Sequence, residues 1–175
     1  SGPLEPPALK SSPWTTDGAT TPAARRPPLP WPDCSKACVP EPGLTVLKIG
    51  GAVCREPSRR QAALEAVERL ARERRVLVVP GGGAFADEVR ASQRAQGFSD
   101  DMAHWMAILA MDQLARSIAA ELNGAQLIHL RNEVEAVHDA GKIPILAPHT
   151  WMRAADPLPH SWDITSDSIA AFIAG

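Results

Sequence analysis

No apolar run in this 175-residue sequence approaches the roughly 20 residues that a membrane span needs. The first residues carry neither the basic stretch nor the apolar stretch of a secretory signal. Net charge is also scarce: 18 Lys and Arg stand against 20 Asp and Glu, leaving −2. Such a balance draws in neither phosphate backbones nor anionic lipids, which argues against nucleic acid and membrane as partners. There are three cysteines, at 34, 38 and 54. Cys34 and Cys38 have no Cys/His pair nearby to complete the four ligands of a zinc site, so no metal site is expected. Unpaired thiols suit a reducing cytoplasm. Three nucleotide and hydrolase signatures are missing: G-x-G-x-x-G, G-x-x-x-x-G-K-[ST] and G-x-S-x-G.

What is present is a soluble composition, 45% hydrophobic and 22% charged, long enough for one domain with a core. Eleven of the 17 prolines fall in residues 1–43. That stretch reads as a disordered, partly polyproline extension; its "RRPPLPWP" is either solvated tail or a ligand for a proline-recognition module. From Leu44 the texture changes. "LTVLKI" and "RVLVVP" are apolar, β-branched runs that predict buried strands, and "AQLIHL" and "IPILAP" predict two more. Between them, Ser58 with Gln61 forms a capping box for a helix to about Arg74. Residues 84–96 predict a second helix. Ser99 caps a third, which Asn123-Gly124 ends. "NEVEAVHDAG" predicts a short helix and residues 166–174 a last one. The order is βαβααβαβα, and strands without alternation imply a parallel sheet covered on both faces.

Two of the four strands end in glycine clusters, "LKIGGAV" and "VVPGGGAF". Ligands in open α/β sheets sit beyond the carboxyl ends of strands. Glycine lets the backbone approach a ligand and direct N–H groups at it, and a following helix adds its positive end. Each cluster is either a tight corner or an anion cradle; two side by side suit phosphoryl transfer. Lys48, between Leu47 and Ile49, is costly to bury without an anion. It is either that anion's partner or an edge residue reaching water.

The set "LKIGG", "VVPGGG" and "TSDSIAAFIA" resembles the amino acid kinase family, which includes uridylate and carbamate kinases, over residues 44–175. The resemblance implies a three-layer α/β sandwich with a mainly parallel sheet, and a kinase using ATP and Mg2+. It places Lys48, Gly50, Gly51 and Ser166 at the transferring phosphoryl group and Gly81, Gly82 and Gly83 at the acceptor. Asp167 then holds the catalytic lysines in place. Two longer stretches, "SDDMAHWMAILAMDQLA" and "PLPHSWDITSDSIAAFIAG", resemble one branch of the family. That branch phosphorylates an aminomethyl-furan-methyl phosphate to its diphosphate in the biosynthesis of methanofuran-type C1 carriers. The resemblance implies a small-molecule acceptor and a cytoplasmic homo-oligomer.

The same residues have a physical reading. Asp167 in a first helical turn is favoured by the dipole, either as a plain cap or as an organiser of positive charge. His104 and Trp105 open the long helix, where they contact a small ring or fill the core. His160, Trp162 and Asp163 share a polar loop with Ser161: either the Trp packs the loop, or the group suits a furan with Asp163 pairing its ammonium. His149 follows the fourth strand on the same edge. Met102, Met106, Ile108 and Met111 read as core or as an oligomer face.

The sequence departs from the family in one respect. Members continue past the T-S-D-S helix with a strand, a second lysine and a loop for adenine and ribose, and none of these follows Gly175 here. The expectation is a chain lacking the C-terminal nucleotide-binding part. It is either a fragment of a longer reading frame, which the initial Ser favours, or a relative that binds anions without transfer. Weak or no turnover is expected of residues 1–175 alone.

Overall fold

The structure, a computed structural model, describes residues 43–175. The proline-rich stretch, with Cys34, Cys38 and "RRPPLPWP", lies outside the described residues.

Four strands form one sheet in the order β1-β2-β4-β3, all parallel. They are β1 (Leu44–Ile49), β2 (Arg75–Pro80), β3 (Ala125–Ile128) and β4 (Ile143–Leu146). Successive side chains on a strand point to opposite faces. In β2 that sends Val76 and Val78 into one apolar cluster and Leu77 and Val79 into another, all four within 1% of complete burial. Two cores on one sheet make three layers, as the non-alternating strands predict. On one face α2 (Pro57–Glu73) brings Leu64 and Val67; on the other α5 (Val134–Asp139), α6 (His149–Ala155) and α7 (Ser166–Ala174) bring Val134, Val137, Met152, Ile169 and Ile173. The 22-residue α4 (Asp100–Glu121) serves both clusters, with Ile108 and Met111 in one and Leu114 and Ile118 in the other. Met102 of the same helix is exposed.

Several boundaries differ from the sequence reading. The capping box at Ser58 does not form. Pro57 takes the first helical position, where its missing N–H costs nothing, and Glu56 becomes the cap. Ser58 Oγ donates to Glu56 Oε1 at 2.7 Å, and Gln61 turns to Glu65. Two short helices were not anticipated, α1 (Gly51–Arg55) directly after the first glycine corner and α6 directly after β4. Ser99 does cap α4, accepting from the Met102 amide at 3.2 Å. The left-handed Gly97 closes α3 (Gly83–Gln96). No helix of the described residues is long and apolar enough to cross a membrane.

Candidate active site

Because β1 and β2 are parallel neighbours with Ile49 opposite Pro80, both glycine clusters emerge at the same edge of the sheet. The Gly81 amide donates to the Ile49 carbonyl at 2.8 Å, which joins the two corners. Their backbones touch: a Cβ on Gly51 would lie 2.4 Å from Gly83 Cα, and one on Gly81 3.0 Å from the Gly51 nitrogen and 3.2 Å from Ser166 Oγ. Side chains at Gly51 and Gly81 would hold the strands' exits apart.

Lys48 ends against this junction. Its Nζ lies 3.4 Å from where a Cβ of Gly50 would stand, and it donates to Asp167 Oδ2 at 3.0 Å. The lysine side chain is 26% exposed and that of Asp167 70%. Asp167 is not the cap of α7. Thr165 does that work, its Oγ1 accepting from the Asp167 amide at 3.3 Å, while Ser168 Oγ accepts from the Thr165 amide at 3.4 Å. The carboxylate is therefore free to face the ammonium.

A cavity of ≈ 210 Å³ opens beside the corners. Gly51, Gly82, Gly83 and Ser166 form one wall, and Trp162 lies on another. Asp100, His104, Ala107, Ile108 and Met111 line it from α4, at the i, i+4, i+7, i+8, i+11 spacing of one helical stripe. Sequence reasoning missed four charged residues there: Arg55, Asp87, Arg90 and Asp100. Asp87 accepts an ion pair from each arginine, Arg55 on Oδ2 and Arg90 on Oδ1, the latter at 3.2 Å. Arg90 also lies 4.4 Å over the Trp162 ring, whose Nε1 donates to Gln93 Oε1 at 2.5 Å. The i, i+3 spacing of Asp87 and Arg90 was a readable signal. Arg55 belongs to the unanticipated α1.

Behind the α4 wall two imidazoles stack, His104 on His160, with centroids 4.3 Å apart and planes at 18°. His160 is held between carboxylates, with Asp101 Oδ1 2.5 Å from Nδ1 and Asp156 Oδ1 2.7 Å from Nε2. Burial works against its charge, but the two carboxylate hydrogen bonds outweigh it, so its pKa is raised. His104 is pushed the other way, by burial first and by the charge of His160 second. One ring is thus an imidazolium that donates on both sides, and its neighbour is a neutral imidazole.

Of the sequence candidates, Lys48, Gly50, Gly81 and Asp167 stand at the corner junction beside the cavity and His160 behind His104, none of them lining it, and Trp105 and Asp163 also stand outside it. Trp105 packs edge-on to both histidines under the Arg153 guanidinium and joins the core; it does not line the cavity. Asp163 is exposed and also does not line it; its amide donates to Ser161 Oγ. His149 starts α6, its amide donating to Asp112 Oδ1 at 3.0 Å.

The family model that describes the amino acid kinase family matches residues 43–175. A [5-(aminomethyl)furan-3-yl]methyl phosphate kinase of Methanocaldococcus jannaschii is 34% identical over 134 residues, which are 73% of this chain and 58% of that protein. Two solved structures share the fold. One is a uridylate kinase from Archaeoglobus fulgidus (TM-score 0.52, 23% identity, 59% of this chain and 49% of that one). The other is a UMP kinase from Ureaplasma parvum (TM-score 0.57, 16% identity, 75% and 63%). The chain spans about half to two thirds of the length of these relatives. With its glycine corners, strand lysine and parallel sheet in place, the chain belongs to the amino acid kinase family.

Proposed function

We propose that this site takes part in ATP-dependent phosphoryl transfer to a small phosphorylated acceptor in the cytoplasm. The acceptor is an aminomethyl-furan-methyl phosphate, converted to its diphosphate for a methanofuran-type C1 carrier. The observation that carries the reading is the placement of the Lys48 ammonium between the first glycine corner and Asp167, with the second corner in backbone contact. Phosphoryl transfer asks a protein mainly for positioning and charge neutralisation. Backbone corners where Gly51 and Gly81 leave no room for a Cβ, with a lysine beside them, fit polyphosphate oxygens. In this reading Lys48, Gly50, Gly51 and Ser166 hold the transferring group, and Asp167 fixes the angle of Lys48. Gly81 keeps the corners together, while Gly82, Gly83, His104 and Trp162 shape the acceptor's cavity. His160 and Trp105 hold His104 from behind. The acceptor's identity rests on the name of the M. jannaschii relative.

When bound, ATP would supply its γ-phosphoryl group to an oxygen of the acceptor phosphate, with ADP as the leaving group. Mg2+ would neutralise nucleotide phosphate charge, and Asp167, beside Lys48 at the glycine corner, is the carboxylate that would help hold it. Among the described residues no group of three His, Cys, Asp or Glu comes together to hold a metal alone. A homo-oligomer belongs to the same reading and is measured by sedimentation.

The test is 31P NMR of the acceptor phosphate with ATP, Mg2+ and the chain. Slow formation of a diphosphate is expected, lowered about 100-fold by Lys48→Ala, the scale of losing one preorganised charge. Unchanged transfer in Lys48→Ala contradicts the assignment. No transfer, with anion binding retained, favours the alternative: a relative or kinase fragment that binds anions or nucleotides without catalysis.

A further inference from the structure

Asp87 and Asp100 both line the cavity, but only Asp87 is neutralised. It holds Arg55 and Arg90, whereas no cation lies within ion-pair reach of Asp100 among the described residues. What Asp100 does hold is an amide. The indole N–H of Trp162 is a donor only, so it fixes the carbonyl oxygen of Gln93 toward itself. The Gln93 amino group must then face the other way, where it donates to Asp100 Oδ1 at 2.8 Å and to the Phe98 carbonyl at 3.2 Å. One oxygen of Asp100, an exposed side chain, is thereby positioned by a neutral group, and no ion pair compensates the carboxylate among the described residues.

One turn along α4 stands a second acceptor. His104 is only 7% exposed, lines the cavity, and makes no hydrogen bond to another described residue. Residues four apart on a helix share a face, with Cβ atoms about 5–6 Å apart. The imidazolium of His160 stacked on its other side disfavours a proton on His104, which leaves a ring nitrogen able to accept. A nearly buried, unpartnered imidazole beside an uncompensated carboxylate is an arrangement for a cation with several N–H donors. The place in the cavity agrees. The second glycine corner meets α4 at Ala107 and Leu114, and at 1.5 Å rise per residue Asp100 lies about 10 Å further along the axis from Ala107. The cavity thus runs from a phosphate end to an acidic end.

We infer that Asp100 and His104 form an ammonium-binding subsite, taking a primary amine carried by the same small molecule whose phosphate faces the glycine corners. This extends the phosphotransferase reading from the acceptor's phosphate to its amine, and it puts Asp100 in the role that the sequence suggested for Asp163. Asp100 sets specificity by accepting two of the amine's charge-assisted hydrogen bonds, and His104 accepts a third.

The test needs no phosphoryl transfer. Furfurylamine, an ammonium at neutral pH, and furfuryl alcohol, its neutral counterpart, are titrated into the 175-residue chain and followed by NMR of the His104 ring. The amine is expected to bind at least tenfold more tightly than the alcohol. Asp100→Asn, which keeps an oxygen for Gln93, is expected to abolish that preference while leaving the alcohol's affinity unchanged. Equal binding of the two probes to the wild type, no binding of the amine, or an undiminished preference in Asp100→Asn overturns the inference. An amine preference that depends on Asp100, in a chain that makes no diphosphate, keeps the subsite and removes the kinase reading. Diphosphate formation without the preference does the reverse.

Discussion

At the scale of single residues, charge is set by who stands opposite. His160 gains two carboxylates and its pKa rises; His104 gains burial and a charged neighbour and its pKa falls. A histidine whose folded pKa is raised adds stability that is complete below the unfolded value, about 6.5, and is lost as pH rises through the folded value. Asp156 is the natural place to test this. It sits at φ 41° at the end of α6, a left-handed conformation that Asn accepts as readily as Asp. Asp156→Asn therefore removes a carboxylate without backbone cost. Urea unfolding should show a deficit of about 1 kcal/mol near pH 6 that shrinks near pH 9. A deficit independent of pH would contradict the clamp. Lys48 and Asp167 were legible in the sequence because a lysine inside an apolar strand and an acid in a capped first turn are local anomalies. Asp100 and Arg55 were not, because an acid or arginine on a helix looks the same whether it faces water or a cavity. The phase of α4 against the glycine corners distinguishes Asp100, and Arg55 belongs to the short α1.

At the scale of elements, the four strands and most helices announced themselves, and two short helices, α1 and α6, did not. The 17-residue α2 and 22-residue α4 repeat their apolar stripe several times. The five residues of α1 and seven of α6 make fewer than two turns each, too few for a period to be read, and neither is marked by a following glycine as α5 is by Gly141. Both follow strand ends directly, where the sheet supplies the support that propensity does not. The junction of β1, α1 and α3 is a tight backbone-to-backbone contact. Gly51→Ala forces a Cβ to within 2.4 Å of the Gly83 backbone, so one of the two corners must move. The expected cost is about 1–3 kcal/mol in urea unfolding, typical of overpacking, with loss of anion binding. Wild-type stability in this variant would mean that the corners do not touch.

At the scale of the whole molecule, the fold class was readable from strands that fail to alternate, but the pairing order was not. β4 inserts between β2 and β3, a choice made by helices packing on both faces rather than by any local signal. Overall charge was also silent about the site. A chain with net charge −2 lines one cavity with Arg55, Arg90, Asp87 and Asp100, and sets Lys48 at the adjoining glycine corner. The most direct measurement is calorimetric titration of inorganic pyrophosphate into the wild-type chain and Lys48→Ala. Binding to the wild type, weakened at least about tenfold by the substitution, is the result expected of a charge-assisted contact. Equal affinity in the two proteins would show that the lysine and the glycine corners do not share an anion.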